Sequence, residues 1–524
     1  MPINLSHPND IRDLRRWTKW LSGVRLEGRG VGSNGGYLAS EWIGRQMDKF
    51  GLALLPNEEA RFQAVPMCRA SIDYTRSGVF LLKAGSQIRL DGNPDFCFRS
   101  RLGEALDVST ELVLVGYGIV APELNRNDYS GIDVRGAIVI ILCGETTEQK
   151  SNLNAEGVGP MSYYGRWTYK LEEAGRQGAY GAILIHDEHA VGYPFEHVRT
   201  SFSSSYTYLS TNKREISFEG WCSEALGHDL LLENGITLAS VKEMSLLGKF
   251  RAVKLPSSIG ARIYSSQHKF VCRNVVGIVP GSDKPNEIVV FVAHWDHLGS
   301  LTLQNGEVKV FPGAADNATG VSLLLSLARR CALSPRPKRT VLFLASTGEE
   351  TGFLGAQHFV QTLSFGADQI VAAFNIDGIL PIGRTRDLQL IGTDFCNIDS
   401  HISKVFEMRG RVISTDDQPQ LGYYYRADQF AFAQAGIPAV QVATGSDLLN
   451  GGLVTGMQKH AQYDDERYHT ERDMFDSDWD FAGVAEDGML LWDAGRHLAN
   501  SSAWPKWHPG VAFSRSHTST LESQ

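Results

Sequence analysis

From residue 285 onward the apolar positions fall into short continuous runs rather than alternating ones. Ile288–Ala293, Val341–Ala345, Ile370–Phe374 and Ala439–Ala443 are rich in β-branched residues, the pattern of strands buried on both faces. Between the first two lies NATGVSLLLSLARRCAL, where Val321, Leu324, Leu325 and Ala328 share one helical stripe. Alternating strand and helix signals predict an α/β fold with a largely parallel mixed sheet flanked by helices. Nearer the start, Leu38, Trp42, Ile43 and Met47 recur at helical spacing and Gly51 supplies a stop signal, which predicts an amphipathic helix over 35–50. Gly30 to Gly35 fits GxGxxG. No apolar strand precedes it, so it reads as a glycine-rich turn into the helix rather than a dinucleotide site.

From about 105 to 255 the texture changes. Strand-like runs at Leu112–Val115, Ala137–Leu142 and Ala182–Ile185 alternate with glycine-containing turns, and one helix is expected around Thr168–Arg176. This is a smaller inserted α/β module. Its His186, Asp187, His189 and His197 lie on polar loop sequence and read as solvated surface rather than a second metal site. The expected organisation is 1–104 as the N-terminal part of the main domain, 105–255 as the insert, 256–508 as the remainder, and 509–524 as a polar, disordered tail.

At 524 residues the chain exceeds one ordinary core. A net charge of −9 argues against nucleic acid or an anionic membrane as partner, since both require clustered basic charge. The longest clean apolar run, Ile138 to Cys143, falls far short of the roughly 18 residues of a membrane span. No apolar segment of a signal peptide is visible in MPINLSHPNDIRDLRRW. The seven cysteines are scattered without a CxxC pair, which suits reduced, mostly buried thiols. A cytoplasmic location is favoured, with a secreted or periplasmic one open if the chain is a mature form. Oligomeric state is not legible.

The candidate chemistry follows the strands. His294-Trp295-Asp296-His297 comes after the first, Gly348-Glu349-Glu350 after the second, and Asn375-Ile376-Asp377-Gly378 after the third. In open α/β sheets the carboxyl ends of the strands line the ligand crevice, so these side chains converge on one cleft. Asp316 opens the helix after the first strand; alone it would read as a helix N-cap. His469, in an acidic loop before the final helix, would alone read as a surface histidine. Together they form an N/O donor set suited to zinc, with cobalt or manganese as substitutes. Five ligands with one shared carboxylate would suit two ions about 3.5–4 Å apart. Adjacent Glu349 and Glu350 cannot both point the same way, so one is expected to bind metal and the other to serve as a base.

FVAHWDHLG, GAADNATGV, STGEETGFLGAQHF, FNID and YHTERD resemble, in order, the motif set of the M28 family of metallopeptidases, which includes bacterial leucyl aminopeptidases. LEGRGVGSNGGYLASEWIGRQMDKFGL is similar to the N-terminal segment of these enzymes. LVLVGYGIVAPELNRNDYSGIDVRGAIVIIL and YKLEEAGRQGAYGAILIHD resemble the protease-associated domain often inserted in them. The resemblance implies a zinc-exopeptidase-like fold and two Zn2+ per chain. His294 and Asp377 would hold one ion, Glu350 and His469 the other, and Asp316 would bridge them. Asp296 would orient His294, as carboxylates do for metal-bound imidazoles, and Glu349 would be the general base. YYYRADQFAFAQAGIPAV resembles the segment that supplies a tyrosine stabilising the transition state, Tyr424 aligning best, although aromatic packing under a loop explains three consecutive tyrosines equally. Ala427 and Gly378 depart from the serine and methionine common in relatives, and neither change removes a ligand.

The expected activity is removal of residues from peptides with a free N-terminus, through a metal-bridged water and a Glu general base. Carboxypeptidase or dipeptidase activity on the same scaffold, a glutaminyl cyclase, and a receptor-like binding protein are the competing readings. The last normally goes with lost ligands, and all five candidates are present. GxSxG, HExxH and the P-loop signature are missing, which disfavours serine hydrolases, thermolysin-like proteases and NTPases.

Overall fold

The computed structural model describes residues 8–514, apart from 57, 84, 101–105, 146–160, 203–204, 211–215 and 304. The last ten residues of the expected tail, 515–524, lie outside the described residues. The chain forms two compact units, one of Met1–Pro66, Phe270–Asp417 and Arg426–Gln524, the other of Met67–Lys269 and Gln418–Tyr425.

In the first unit the long apolar runs become a mixed sheet. Seven of its nine strands, in chain order, are β1 (Ser265–Val279), β2 (Lys284–His294), β3 (Arg339–Ser346), β4 (Ile370–Ile376), β5 (Asp387–Ile391), β6 (Val412–Ser414) and β7 (Ala439–Thr444). Their spatial order is β1-β3-β2-β4-β7-β5-β6. β3, β2, β4 and β7 are mutually parallel, while β1 and β5 join antiparallel. Every residue of β3 and β4 is buried, which is why these strands read as unbroken apolar runs.

Helices α1 (Pro8–Leu21), α2 (Asn34–Phe50), α3 (Thr319–Leu333), α4 (Gly452–Glu466) and α5 (Ala482–Asn500) belong to the same unit. α1, α2 and α5 all pack on α3. That crowding buries Leu323 and Leu327 as well as the expected Val321, Leu324, Leu325 and Ala328. In α2, Ser33 Oγ accepts from the Gly36 amide at the start, and Gly51 ends the helix at φ 78°. Ile43 and Met47 are fully buried as expected, but Leu38 is 42% exposed. The packed side is instead Gly35, Gly36, Ala39 and Ser40. A side chain at Gly35 would sit 1.8 Å from the Leu26 carbonyl oxygen, so small residues, not large ones, bring this end into contact.

The second unit has an eight-stranded sheet. Leu106–Leu114, Ile138–Leu142, Gly181–Ile185 and Phe218–Cys222 run parallel at its centre. Val253–Ile263 pairs antiparallel with both Leu106–Leu114 and Gly78–Lys83, and Phe96–Ser100 closes the far edge. These pairings extend the unit beyond 105–255: residues 67–104 and 256–269 belong to it. Local periodicity does not reveal a pairing such as Phe80 with Gly260. The helix at Trp167–Arg176 turns Tyr169, Leu171 and Ala174 inward. No described helix is long and apolar enough to cross a membrane. All seven cysteines are buried and none is in a disulfide.

Candidate metal centre

The parallel strands bring their carboxyl ends level: His294, the last residue of β2, sits beside Ser346, the last of β3. Glu349 and Glu350 follow in the turn after β3, and Asp377 follows β4 directly. From the opposite side come Asp316, three residues before α3, and His469, from the loop after α4. All belong to the first unit.

Asp316 is not a cap. Asn317 takes that part, its Oδ1 accepting from the Gly320 amide at 3.1 Å while its Nδ2 donates to the Ile376 carbonyl at 2.9 Å. One residue thereby ties the start of α3 to the end of β4. The turn bearing Asp316 is held by Asp473, whose carboxylate accepts from the amides of Ala315 and Asp316, each at 3.1 Å. The Asp316 side chain is left to the histidines: Oδ1 lies 3.3 Å from His294 Nε2, and Oδ2 lies 3.2 Å from His469 Nε2. Asp377 Oδ1 is 3.6 Å from His294 Nε2, and Glu350 Oε2 is 3.1 Å from His469 Nε2. Donor atoms of His294, Asp316 and Glu350 all lie within 4.8 Å of one another. The five expected ligands therefore meet in one place.

Asp296 departs from expectation. The His294 Nδ1 lies 3.1 Å from the main-chain carbonyl of Asp296 and 4.0 Å from its carboxylate. The carboxylate instead accepts from the Glu349 amide at 3.2 Å. A backbone carbonyl is among the partners that fix a metal-binding imidazole, so the histidine is still oriented, by the backbone. Tyr424 belongs to the second unit, buried, with its ring edge-on to Tyr425 at 5.5 Å. Gly378 has φ 85°, a left-handed conformation that glycine adopts without strain and the methionine common in relatives would not.

Burial and crowding set the electrostatics. Burial alone would raise Asp316, but hydrogen bonds and charge from His294, His297 and His469 hold it well below the carboxylate range. Glu350 is held at about 2, His297 and His469 prevailing over burial and the Asp316 charge. Glu349 goes the other way, pushed well above its usual range by burial and by Glu350, Asp377 and Asp428 against the pull of His294. Adjacent acids thus diverge in environment.

The donor set fits a divalent cation. Three carboxylates crowd a buried space, and buried Arg29, which feels the charges of Asp316 and Glu350, makes its hydrogen bonds to the carbonyls of Leu21, Trp295, Pro312 and Gly313. Among the described residues this is the one cluster with metal-ligand geometry. Of the His186 group, His189 and His197 are exposed as expected. His186 is not: it is 3% exposed, its Nε2 on the Tyr193 carbonyl and its ring among Tyr193, Phe195 and Trp221.

Three residues of the site carried no role in the sequence reading. Asp473 lies four residues beyond His469, and Arg29 lies in a distant glycine-rich turn. His297 could have been noticed, being the second histidine of HWDH. Its Nδ1 lies 2.5 Å from Glu350 Oε1.

Residues 274–492 match Peptidase family M28. A probable zinc metalloprotease of Pyrenophora teres f. teres is 38% identical over 104 residues, 20% of this chain and 22% of that protein. One of Pyricularia oryzae is 36% identical over 107 residues, 20% of each chain. The chain thus matches about a fifth of the length of these curated relatives. Among solved structures, an aminopeptidase from Aneurinibacillus sp. strain AM-1 aligns with TM-score 0.47 and 16% identity over 96% of this chain and 97% of its own. The zinc aminopeptidase BSAP of Bacillus subtilis aligns with TM-score 0.43 and 18% identity over 94% and 95%. The stretch that matches peptidase family M28, residues 274–492, is the one whose motifs supply the clustered donors.

Proposed function

We propose that this protein is a zinc-dependent aminopeptidase with two ions per chain. One observation supports the reading above the rest: the two oxygens of Asp316 face different histidines, at 3.3 and 3.2 Å. His294 and Asp377 would hold one ion, Glu350 and His469 the other, and Asp316 both. Bound there, zinc supplies a Lewis acid for the scissile carbonyl and lowers the pKa of attacking water. Glu349 accepts the proton of that water and returns it to the leaving amine. In this reading cleavage is directed to N-termini, with a free α-amine as the recognised group.

Metal analysis with a substrate panel tests this. Two zinc per chain are expected, with hydrolysis of unblocked aminoacyl amides and far slower reaction of their N-acetylated forms. One ion at full activity, equal rates on blocked and free substrates, or a requirement for a free C-terminal carboxylate would overturn it.

A further inference from the structure

We infer that His297 is a positioning residue that decides which oxygen of Glu350 is presented to a metal ion; the inference rests on the zinc reading above. A carboxylate only accepts hydrogen bonds, so the 2.5 Å contact requires His297 Nδ1 to donate to Glu350 Oε1. With Oε1 engaged, Oε2 is left to face His469 at 3.1 Å. The alternative partner, Asp316 Oδ2, lies 3.7 Å from the same nitrogen, beyond hydrogen-bond reach.

The imidazole has little freedom to do anything else. Its side chain is fully buried, and its amide donates to the Arg29 carbonyl. Gly313 leaves the space the ring fills: a Cβ there would lie 2.5 Å from His297 Cγ. Arg29 donates to the carbonyls of both Trp295 and Gly313, so the segments on either side of the ring are clamped together. The far nitrogen, Nε2, is buried with no hydrogen-bond partner, so Nδ1 is the working end.

The local pattern has a further consequence. Asp296 takes the Glu349 amide and His297 takes the Glu350 carboxylate. Two consecutive residues after β2 therefore hold two consecutive glutamates after β3, one by its backbone and one by its side chain. A glutamate with one oxygen anchored enters metal binding already oriented; a hydrogen-bonding partner behind a ligand typically contributes about 10–100-fold in metal affinity.

The test is zinc affinity, measured by chelator competition on full-length wild type, His297→Leu and His297→Asn, with circular dichroism of each metal-free protein. Asparagine can place an amide donor where Nδ1 lies; leucine cannot. His297→Leu is expected to lose about 10–100-fold in affinity for one of the two ions, and His297→Asn to recover most of it. Wild-type affinity in a folded His297→Leu would overturn the inference. So would a His297→Asn that folds yet binds as weakly as His297→Leu, since the imidazole would then be needed for something other than its donor. If His297→Leu fails to fold, His297→Asn alone decides, near-wild-type affinity supporting the inference and a 10-fold or greater loss overturning it. A wild type that binds no zinc would instead bring down the metal reading itself.

Discussion

The two compact units present the same kind of strand-end sequence and make opposite use of it. In the second unit, Cys143, His186 and Cys222 stand at or just past the ends of parallel strands. In the first, His294, Ser346 and Asp377 do the same. Around His186 the space is filled by Tyr193, Phe195 and Trp221, and a carbonyl takes its nitrogen. Around His294 the neighbours are carboxylates delivered from outside the sheet, Asp316 before α3 and, through it, His469 after α4. A donor at a strand end is therefore not enough. Acids must be brought to it from elsewhere in the chain.

The largest effect that would sharpen this contrast concerns the adjacent glutamates. Glu349→Gln should retain both zinc ions yet lose about 10²–10⁴-fold in kcat, since an amide cannot accept the proton. Glu350→Gln should instead lose zinc. Metal stoichiometry and single-substrate kinetics on both variants read the two roles, and reversed outcomes would exchange them.

The second unit also buries a charge, but with a structural consequence. Lys170 is fully buried, and its Nζ donates to the Tyr117 carbonyl at 2.7 Å. Burial lowers its pKa from 10.5 to about 7 against the pull of Glu145 and Asp128, with Arg126 adding to the fall. Between about 7 and 10.5 the unfolded chain then binds more protons than the folded one, so stability rises with pH across that window. The slope approaches about 1.4 kcal/mol per pH unit for one proton. Below about 7 both states are protonated and the cost of burial is present in full. Urea unfolding at several pH values should show the rise, and Lys170→Met should flatten it. A wild-type profile with no rise above pH 7 would show that the lysine is not held in this way.

A smaller effect separates the two histidines. His186→Ala should leave zinc content unchanged while lowering stability by about 1–3 kcal/mol, the range for loss of a buried, hydrogen-bonded side chain. Thermal unfolding and metal analysis measure both. Loss of zinc in this variant would break the contrast between the units.

The strands that place the site were legible because burial on both faces leaves an unambiguous pattern: β2, β3, β4 and β7 all appear as apolar runs. The ligand types were legible for the same reason, since polar donors stand out directly after such runs. Other features were not, and each depends on geometry at long range. The border at residue 67 follows from Gly78–Lys83 pairing with Val253–Ile263. Asp473 contributes through backbone amides more than 150 residues away, which no local spacing encodes. Leu38 was expected inside the α2 interface because periodicity weighs large apolar residues. The interface uses glycine, alanine and serine, whose small size is the point of contact.

The central claim is that Asp316 is shared between two ions in the first unit. Anomalous diffraction at the zinc edge, on crystals of the zinc-loaded protein, tests it most directly. Two peaks are expected, one between Asp316, His294 and Asp377, the other between Asp316, Glu350 and His469. A single peak in fully loaded crystals, or a peak beside His186, would contradict the account.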